Sequence, residues 1–387
     1  MSELDVIVVG AGPAGGMAAR ELARAGAQVA LVDGSFPREK PCGGGVTARA
    51  LSLLGPELPD IAPSGQKIAS ITFESAAASA EIALGDRTEL EVFARKAFDA
   101  ALLQLAIAAG ARHIAARVHG IAREGQFWRV AVSEGEPLRA PWLLGADGAG
   151  GLVRRQVFRA FERRQLSIAA GSYVDGIDCH EIVIGFVDSP RGYLWSFPRP
   201  GHLAVGACAQ ADEASTAAVH AIADRWLDTY APAAGLARRR YAWPIPSLDA
   251  GDLERERPSG RGWLLLGDAA GLVDPITREG IYFALRSGML AARALVGQSA
   301  AHEYGAAIRD EIHSELRRAA RLRAGFFRPR FTRLLVEALG NSPAIREVMV
   351  DLVAGRQPYR GLKRRLLGTM EIGLMIRTLM ARKLRRP

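Results

Sequence analysis

Three glycines near the N-terminus have the spacing of a dinucleotide-binding loop. Gly10, Gly12 and Gly15 form G-x-G-x-x-G directly after the apolar run VIVV. The first glycine permits a tight turn, the second lets a pyrophosphate approach the backbone, and the third lets the next helix pack closely on the strand. The run QVALVD then ends in Asp33, an acid placed to accept hydrogen bonds from a ribose. The pattern predicts a nucleotide cofactor.

Two later acids follow buried strands in the same way. Asp147 and Gly148 come after WLLG, and the run WLLLG ends in Gly267 and Asp268. An acid flanked by glycines at the end of a strand is suited to bind a ribose or ribityl hydroxyl. Between these segments, Arg95 begins the amphipathic helix RKAFDAAL. These features predict that several separate segments of the chain contact the nucleotide.

These segments carry a resemblance to a known family. The chain resembles the geranylgeranyl reductase family, within the superfamily of FAD-dependent enzymes that have the para-hydroxybenzoate hydroxylase fold. GAGPAG and GADG are general to that superfamily, whereas KPCGGG and Y-x-W-x-F-P are more specific. The matching segments cover residues 1 to about 300 and are GAGPAG (10–15), KPCGGG (40–45), GADG (145–148), YLWSFP (193–198) and GDAAGLVDPITREGI (267–281).

The resemblance implies FAD as the cofactor. It implies that amides at Gly280 and Ile281 lie beside the isoalloxazine and stabilise charge on the reduced ring. Family members often have glycine where this chain has Arg278, which either points to solvent, the interpretation that we favour, or faces the flavin or an anionic substrate group. The implied FAD-binding residues are Gly10, Gly12, Pro13, Ala14, Gly15, Asp33, Cys42, Gly43, Gly44, Arg95, Asp147, Gly148, Gly267, Asp268, Pro275, Gly280 and Ile281.

The stretch PREKPCGGGV places the lone Cys42 against three glycines. We expect Gly43, Gly44 and Gly45 to pass close to flavin and substrate, where a Cβ atom would not fit. Cys42 then faces the isoalloxazine side. It either protonates or gates the substrate, exchanges redox equivalents, or only packs; we favour a functional role because a thiol beside a flavin is chemically exposed.

The elements that position these residues predict an α/β fold. A Rossmann-like FAD-binding domain is interwoven with a β-sheet substrate domain, and helices follow at the C-terminus. The runs EIVIGFV, YLWSFP and HLAVGAC predict strands of the substrate domain. The predicted boundaries are 1–60, 92–155 and 258–300 for the FAD-binding domain, 61–91 and 156–257 for the substrate domain, and 301–387 for the helical region with its basic amphipathic tail.

Three aromatic residues in YLWSFP bear on the substrate. Tyr193, Trp195 and Phe197 alternate, so they share one face of a strand. They are either core residues or the apolar wall of a substrate tunnel, and the resemblance favours the tunnel. Such a wall suits an isoprenoid chain, since burying each CH₂ is worth about 0.8 kcal/mol. Cys42, Tyr193 and an ordered water are the candidate catalytic proton donors.

The predicted function is reduction of carbon–carbon double bonds in a long isoprenoid, such as a geranylgeranyl lipid, prenyl diphosphate or prenylquinone, by hydride transfer from reduced flavin. The alternatives are a flavin monooxygenase or halogenase on the same fold and a redox-neutral prenyl cyclase. The sequence has only one dinucleotide fingerprint. The electron donor is therefore a transiently docked NADPH or NADH, or a carrier protein such as ferredoxin.

Charge and composition limit partners and location. The net charge is +9, and residues 356–387 hold ten Lys/Arg and one acid, which is 10 − 1 = +9. This basic tail suits either an anionic membrane surface or packing on the protein body. We expect no nucleic-acid partner, no metal site and no disulfide among the three cysteines. Without a signal peptide or transmembrane segment, the predicted location is cytoplasmic or peripheral on the inner face of the membrane.

Overall fold

The structure, a computed structural model, describes residues 3–55, 65–84, 90–297 and 299–369. The strands of these residues, in chain order, are β1 Val6–Val9, β2 Val29–Val32, β3 Gly45–Thr47, β4 Gln66–Lys67, β5 Ser70–Glu74, β6 Ser79–Ala83, β7 Leu90–Val92, β8 Arg112–Ile114, β9 Val118–Glu124, β10 Phe127–Val132, β11 Leu138–Ala140, β12 Trp142–Gly145, β13 Leu166–Asp175, β14 Glu181–Asp188, β15 Arg191–Arg199, β16 His202–Gln210, β17 Arg238–Pro246, β18 Ser259–Gly260 and β19 Trp263–Leu265.

The α-helices of the described residues alternate with the strands in the first two thirds of the chain and follow one another in the C-terminal third. In chain order they are α1 Pro13–Arg24, α2 Ala48–Leu51, α3 Arg95–Ala108, α4 Leu152–Val157, α5 Thr216–Thr229, α6 Ala250–Arg255, α7 Ile281–Leu295, α8 Ala300–Ala307, α9 Ser314–Phe326, α10 Pro329–Asn341, α11 Pro343–Val353 and α12 Leu362–Gly368.

A six-stranded sheet, counted over the described residues, forms the nucleotide-binding half. Its order is β18-β19-β12-β1-β2-β8, and all neighbours are parallel except β18 and β19. Every residue of β1 and β2 is buried, as the apolar runs in the sequence require. Because β1, β2, β12 and β19 are parallel, their carboxyl ends meet at one edge. Ligands of open α/β sheets bind at this edge.

A seven-stranded sheet, counted in the same way, forms the second half. Its order is β17-β13-β16-β15-β14-β5-β6, antiparallel except for the parallel pair β14 and β5. Helix α5 covers one face of this sheet, where Val219 and Ile222 pack on Leu194 and Ala207. The opposite face is directed to the cavity described below. The predicted strands EIVIGFV, YLWSFP and HLAVGAC are confirmed as β14, β15 and β16.

The C-terminal helices pack on the outer strands of this sheet. Val336 and Leu339 of α10 and Met349 of α11 share a buried apolar cluster with Ile71 and Phe73 of β5. The helical region is therefore part of the sheet's core. No helix in the described ranges is both long enough and apolar enough to cross a membrane.

The mixed α/β fold predicted from the sequence is confirmed. The predicted domain boundaries stay a prediction, although β5 and β6 join the seven-stranded sheet. The distal part of the basic tail, residues 370–387, lies outside the described residues.

Candidate functional site

A cavity of about 1110 Å³ lies between the two large sheets and the C-terminal helices. It exceeds the roughly 300–1,000 Å³ that accommodates one drug-sized ligand. Most residues predicted to bind the cofactor or substrate lie in its wall, namely Gly10, Gly12, Pro13, Ala14, Asp33, Cys42, Gly43, Gly44, Arg95, Asp147, Gly148, Tyr193, Trp195, Phe197, Asp268, Gly280 and Ile281.

Three predicted residues lie behind this wall. A Cβ at Gly15 would stand 1.9 Å from the carbonyl oxygen of Gly10, so this glycine permits close helix–strand packing. Gly267 packs on Ala14, and its amide donates to Ser287 Oγ at 3.0 Å. Pro275 is buried. These residues shape the wall without lining it.

The glycine loop leaves space and free amides for a pyrophosphate. Gly10 has φ +100°, and a Cβ there would lie 2.4 Å from the carbonyl oxygen of Ala146, so only glycine fits. Gly12 is the N-cap of α1 and supplies no side-chain cap, and a Cβ there would meet nothing within 4 Å. The first amides of α1 therefore face open space, which suits a phosphate group. The loop fits the FAD that the motif implies.

Asp33 lies at the end of β2, and its carboxylate stabilises the loops on both sides. Oδ2 accepts from the amide of Ala11 at 2.9 Å, and Oδ1 accepts from the amide and hydroxyl of Ser35 at 2.8 and 2.6 Å. The acid is thus preorganised at the position where a ribose is expected.

Asp147 lines the cavity, and one of its carboxylate oxygens is buried without a hydrogen-bond partner in the described residues. Its Oδ2 accepts from the amide of Val153 at 2.9 Å, whereas Oδ1 is buried without a partner in the part of the chain that the structure describes. Burial raises the pKa of Asp147 to about 6, against the opposing effect of backbone amides. A buried acceptor without a donor suits a hydroxyl of a bound nucleotide.

Two ion pairs hold cations at the cavity wall. Lys40 Nζ lies 2.9 Å from Asp268 Oδ2, so KPCGGG is joined to GDAAG at the cavity wall. Arg95 forms a two-point ion pair with Asp99 one turn along α3, at 2.8 and 2.7 Å. Burial lowers the pKa of Arg95, but Asp99 more than offsets it and the pKa lies above its ordinary value. Arg95 therefore remains a cation at the wall.

Arg199 is a positioning residue of the site that the sequence did not reveal. It is only 2% exposed and lies at the end of β15, directly after YLWSFP. Its guanidinium donates to the carbonyl oxygens of Cys42 and Gly43 and to Glu39. Glu39 in turn accepts the amide of Arg95 at 3.0 Å. We call this set the Arg199 clamp. It fixes the cysteine loop against β15 and α3.

The triple glycine is explained largely by the protein's own packing. Gly44 has φ +86°, and a Cβ there would lie 2.3 Å from the carbonyl oxygen of Phe93. A Cβ at Gly43 or Gly45 would press on the Phe197 ring at 3.0 and 3.1 Å. The close approach seen here is to Phe197 and Phe93. The loop also lines the cavity, and its approach to flavin and substrate stays a prediction.

The three aromatic residues of β15 serve different purposes. Tyr193 and Phe197 are partly open to the cavity, whereas Trp195 is 4% exposed and packs in a core cluster with Tyr173 and Tyr241. Burial raises the pKa of Tyr193 well above its ordinary value. Its hydroxyl therefore stays protonated at neutral pH. Trp195 is thus mainly a core residue, and the tunnel-wall interpretation stays a prediction for Tyr193 and Phe197.

An apolar arm of the cavity lies beneath the C-terminal helices, which the sequence analysis did not connect with the site. Phe327 stacks on Tyr193 with ring centroids 6.3 Å apart, and Phe326 contacts Phe186 at 5.9 Å. The only sequence signal was the apolar pair in GFFRP. The residues that line the apolar arm are Ile71, Phe73, Leu90, Ile182, Ile184, Phe186, Phe326, Phe327, Met349, Leu352 and Val353.

A buried acid shapes the turn before α7. Asp274 is 3% exposed, and its Oδ1 accepts from the amides of Ile276 and Thr277 at 2.7 and 3.0 Å and from the hydroxyl of Tyr359 at 3.1 Å. Burial raises the pKa of Asp274. Tyr359 precedes α12, so the C-terminal segment is attached to the same turn.

Arg278 differs from our expectation of a solvated side chain. It lies in the cavity wall, and its Nη1 donates to Ser247 Oγ at 2.6 Å. The fold places it there because the turn held by Asp274 directs it towards the seven-stranded sheet.

Comparisons with known proteins agree with this geometry. A family model described as an FAD binding domain matches residues 3–175. The chain is 33% identical to a digeranylgeranylglycerophospholipid reductase of Methanothrix thermoacetophila, over 74% of this chain and 76% of that protein. It is 30% identical to a menaquinone reductase of Mycolicibacterium smegmatis, over 74% of this chain and 75% of that protein.

A solved structure shares the fold. A geranylgeranyl bacteriochlorophyll reductase-like protein from Thermoplasma acidophilum superimposes with a TM-score of 0.76 at 21% identity, and the match covers 95% of this chain and all of that one. The cofactor cradle, the motifs and these relatives lead to one conclusion. The chain belongs to the geranylgeranyl reductase family of FAD-dependent oxidoreductases.

Proposed function

We propose that this protein saturates carbon–carbon double bonds of a long isoprenoid chain, as part of a geranylgeranyl lipid, a prenyl diphosphate or a prenylquinone. The observation that carries the proposal is the shape of the cavity. One continuous space joins the nucleotide loop at Gly10 and Asp33 to the apolar arm at Phe73 and Met349. A dinucleotide and a hydrocarbon chain can therefore share it.

The cofactor would be held by groups of the first half of the chain. The amides of α1 after Gly12 would bind the pyrophosphate, Asp33 the ribose, and Asp147 Oδ1 a further hydroxyl. Lys40 and Arg95, each paired with an acid, line the same wall and would serve as hydrogen-bond donors to the phosphates. When bound and reduced, FAD supplies a hydride, and the protein's part is to align the alkene and exclude water.

The apolar arm would bind the isoprenoid. Its aliphatic and aromatic walls come from β5, β14, α9 and α11. Each buried CH₂ contributes about 0.8 kcal/mol, so several isoprene units bind firmly without polar contacts. The aromatic contact of Phe327 with Tyr193 would hold the chain against β15.

Reduction also needs a proton, and two side chains of this cavity can hold one. The Tyr193 hydroxyl donates to the carbonyl oxygen of Thr277 at 3.4 Å, a long bond that leaves it free to turn. Cys42 Sγ accepts from the amide of Gly44 at 3.3 Å and lines the same wall. We assign proton transfer to this pair, directly or through a water.

Two further parts of the proposal concern partners. Electrons reach the flavin from NADPH or NADH docked transiently, or from a carrier protein such as ferredoxin. The basic tail contacts an anionic membrane surface, where isoprenoid lipids reside.

The proposal is tested by product mass. The purified flavoprotein is reduced with dithionite under anaerobic conditions and given a geranylgeranyl lipid, geranylgeranyl diphosphate or menaquinone. A gain of two hydrogens per reduced double bond is expected. A gain of oxygen in air would instead identify a monooxygenase, and an isomer of unchanged mass would identify a cyclase.

A further inference from the structure

We propose that Arg278 binds an anionic group of the substrate, a carboxylate or a phosphate, next to the reacting part of the chain. This inference rests on the proposed function and adds the substrate class to it. The isoprenoid would then be amphipathic, with its acidic end at Arg278 and its hydrocarbon in the apolar arm.

The backbone at Arg278 is the first observation. With φ +59°, it is the single non-glycine residue with positive φ in the described ranges. Its amide donates to the carbonyl oxygen of Asp274 at 3.0 Å, which closes the turn. A Cβ is disfavoured in this left-handed conformation, and glycine would fit better. Strain of this kind is a reason to look for a function of the side chain.

The charge of Arg278 is the second observation. No carboxylate lies within ion-pair distance of its guanidinium in the described part of the chain, and its Nε is buried there without a partner. The nearest acids along the chain are engaged elsewhere. Glu279 pairs with Arg49, and Asp274 accepts the amides of its own turn. A partly buried cation without a counter-ion is costly, so an anion from outside would be stabilised here.

Ser247 holds the side chains of Arg278 and Arg323 close together, so two positive charges lie at one place. Its hydroxyl accepts from Arg278 Nη1 at 2.6 Å and from Arg323 Nη1 at 2.7 Å, and it lies 2.5 Å from Gln210 Oε1. The hydroxyl thus has its donor and both acceptor sites engaged. It orients two guanidinium groups but neutralises neither. Burial, and secondarily the charge of Arg278, lowers the pKa of Arg323.

The position of Arg278 relative to the apolar arm determines how the substrate is oriented in the cavity. Arg278 reaches Ser247, directly after β17, and shares the cavity wall with Trp243 and Ile245 of that strand. The apolar arm lies over β14 and β5, on the other side of β15 in the sheet order. Tyr193 of β15 lies between the two. A chain that crosses Tyr193 therefore has its anionic end at Arg278 and its tail in the apolar arm.

The test compares three ligands with the same C20 chain, namely geranylgeraniol, geranylgeranoic acid and geranylgeranyl phosphate. Each is titrated into the oxidised flavoprotein, and binding is followed by the change in the flavin absorption spectrum. We expect the wild type to bind the acid and the phosphate about ten-fold more tightly than the alcohol. In Arg278→Gln this preference is lost while the affinity for the alcohol is unchanged.

The control is Arg321→Gln, which removes an exposed arginine of α9 and should keep the preference. A preference for anions that survives in Arg278→Gln overturns the inference, and the proposed function stands. A lowered flavin midpoint potential in Arg278→Gln, with the preference unaltered, also overturns it, because the charge then serves the reduced flavin. If the wild type binds none of the three ligands, the inference is overturned, and the product-mass test with lipid and menaquinone decides the proposed function separately.

Discussion

Asp147 is a single residue whose environment predicts a pH effect. Its pKa of about 6 in the folded protein lies above the ordinary value of 3.8. A raised pKa means that the folded state holds the proton more tightly, so stability is lost as the pH rises from about 4 through 6. The shift corresponds to at most about 3 kcal/mol.

We therefore expect Asp147→Asn to stabilise the flavin-free protein by about 1–3 kcal/mol near pH 7.5 and to change it little near pH 4. Denaturant unfolding at the two pH values measures this. Asn keeps an acceptor for the amide of Val153, so the variant isolates the charge. An equal gain at both pH values would contradict the assigned pKa.

The proton donor is also a question of single residues. Tyr193→Phe removes the hydroxyl but keeps the ring that stacks on Phe327, and Cys42→Ser keeps the size of the side chain. We expect one of these variants to slow double-bond reduction by about 100-fold, the usual contribution of general acid catalysis. Flavin content should be unchanged in both. Full activity in both variants, and in the double variant, would mean that water supplies the proton.

At this scale the sequence predicted residue types better than residue roles. Gly10, Asp33 and Asp147 were found because cofactor motifs are local in sequence. Arg199 and Asp274 were not, since their partners are far along the chain and no motif connects them. Arg278 was visible in the sequence, but only the fold brings it to the cavity instead of solvent.

At the scale of elements, the Arg199 clamp joins β15 to the cysteine loop. Arg199→Met leaves the carbonyl oxygens of Cys42 and Gly43 without this donor. Breaking a buried ion pair with hydrogen bonds costs about 3–5 kcal/mol, so we expect a loss of that order in the free energy of unfolding, together with weaker flavin retention.

The matched control is Arg239→Met. Its pair with Asp175 is mostly exposed, with side chains 58% and 60% accessible, so its loss should cost less than about 1 kcal/mol. Equal losses in the free energy of unfolding of the two variants, measured by denaturant unfolding, would contradict the stabilisation that we assign to the Arg199 clamp.

Phe327, directly after α9, lines the apolar arm. Phe327→Ala removes the ring that stacks on Tyr193 and widens the arm. We expect the KM for a C20 substrate to rise about 10- to 150-fold, because roughly 1.5–3 kcal/mol of apolar contact is lost, with a smaller effect on a C10 substrate. Leu236→Ala, at an exposed position away from the cavity, serves as the control. Equal effects on both chain lengths would argue against contact with the distal part of the chain.

Elements were predicted where a pattern was strong. The alternation in YLWSFP and the apolar runs before the glycine loops predicted β15, β1 and β19 correctly. The helices after residue 301 were predicted as helical, but their place above β5 and β14 follows from packing that periodicity does not encode. The apolar arm was therefore beyond sequence reasoning.

At the scale of the whole molecule, the first part of the basic tail belongs to the fold. Tyr359 is buried and bonds to Asp274, so removing residues 356–387 would also damage the turn at the cavity. Removing only 370–387 takes away five Lys/Arg and one acid, which is 5 − 1 = +4. We expect this truncation to weaken sedimentation with anionic liposomes and to leave flavin content unchanged. Unaltered sedimentation would contradict the membrane proposal.

The overall architecture was accessible from sequence because several distant motifs agreed on one cofactor and one family. The substrate was less accessible, since the relatives of this chain include proteins named as a lipid reductase and as a quinone reductase. The shape and charge of this chain's cavity arise only when both sheets and the C-terminal helices meet.

The central claim is that this cavity brings an isoprenoid double bond to the reduced flavin. The most direct test mixes the dithionite-reduced protein with a geranylgeranyl substrate in the absence of oxygen and follows the return of the yellow flavin colour. We predict reoxidation in step with the appearance of a product two hydrogens heavier. A flavin that stays reduced with geranylgeranyl lipid, geranylgeranyl diphosphate and menaquinone alike would contradict the account.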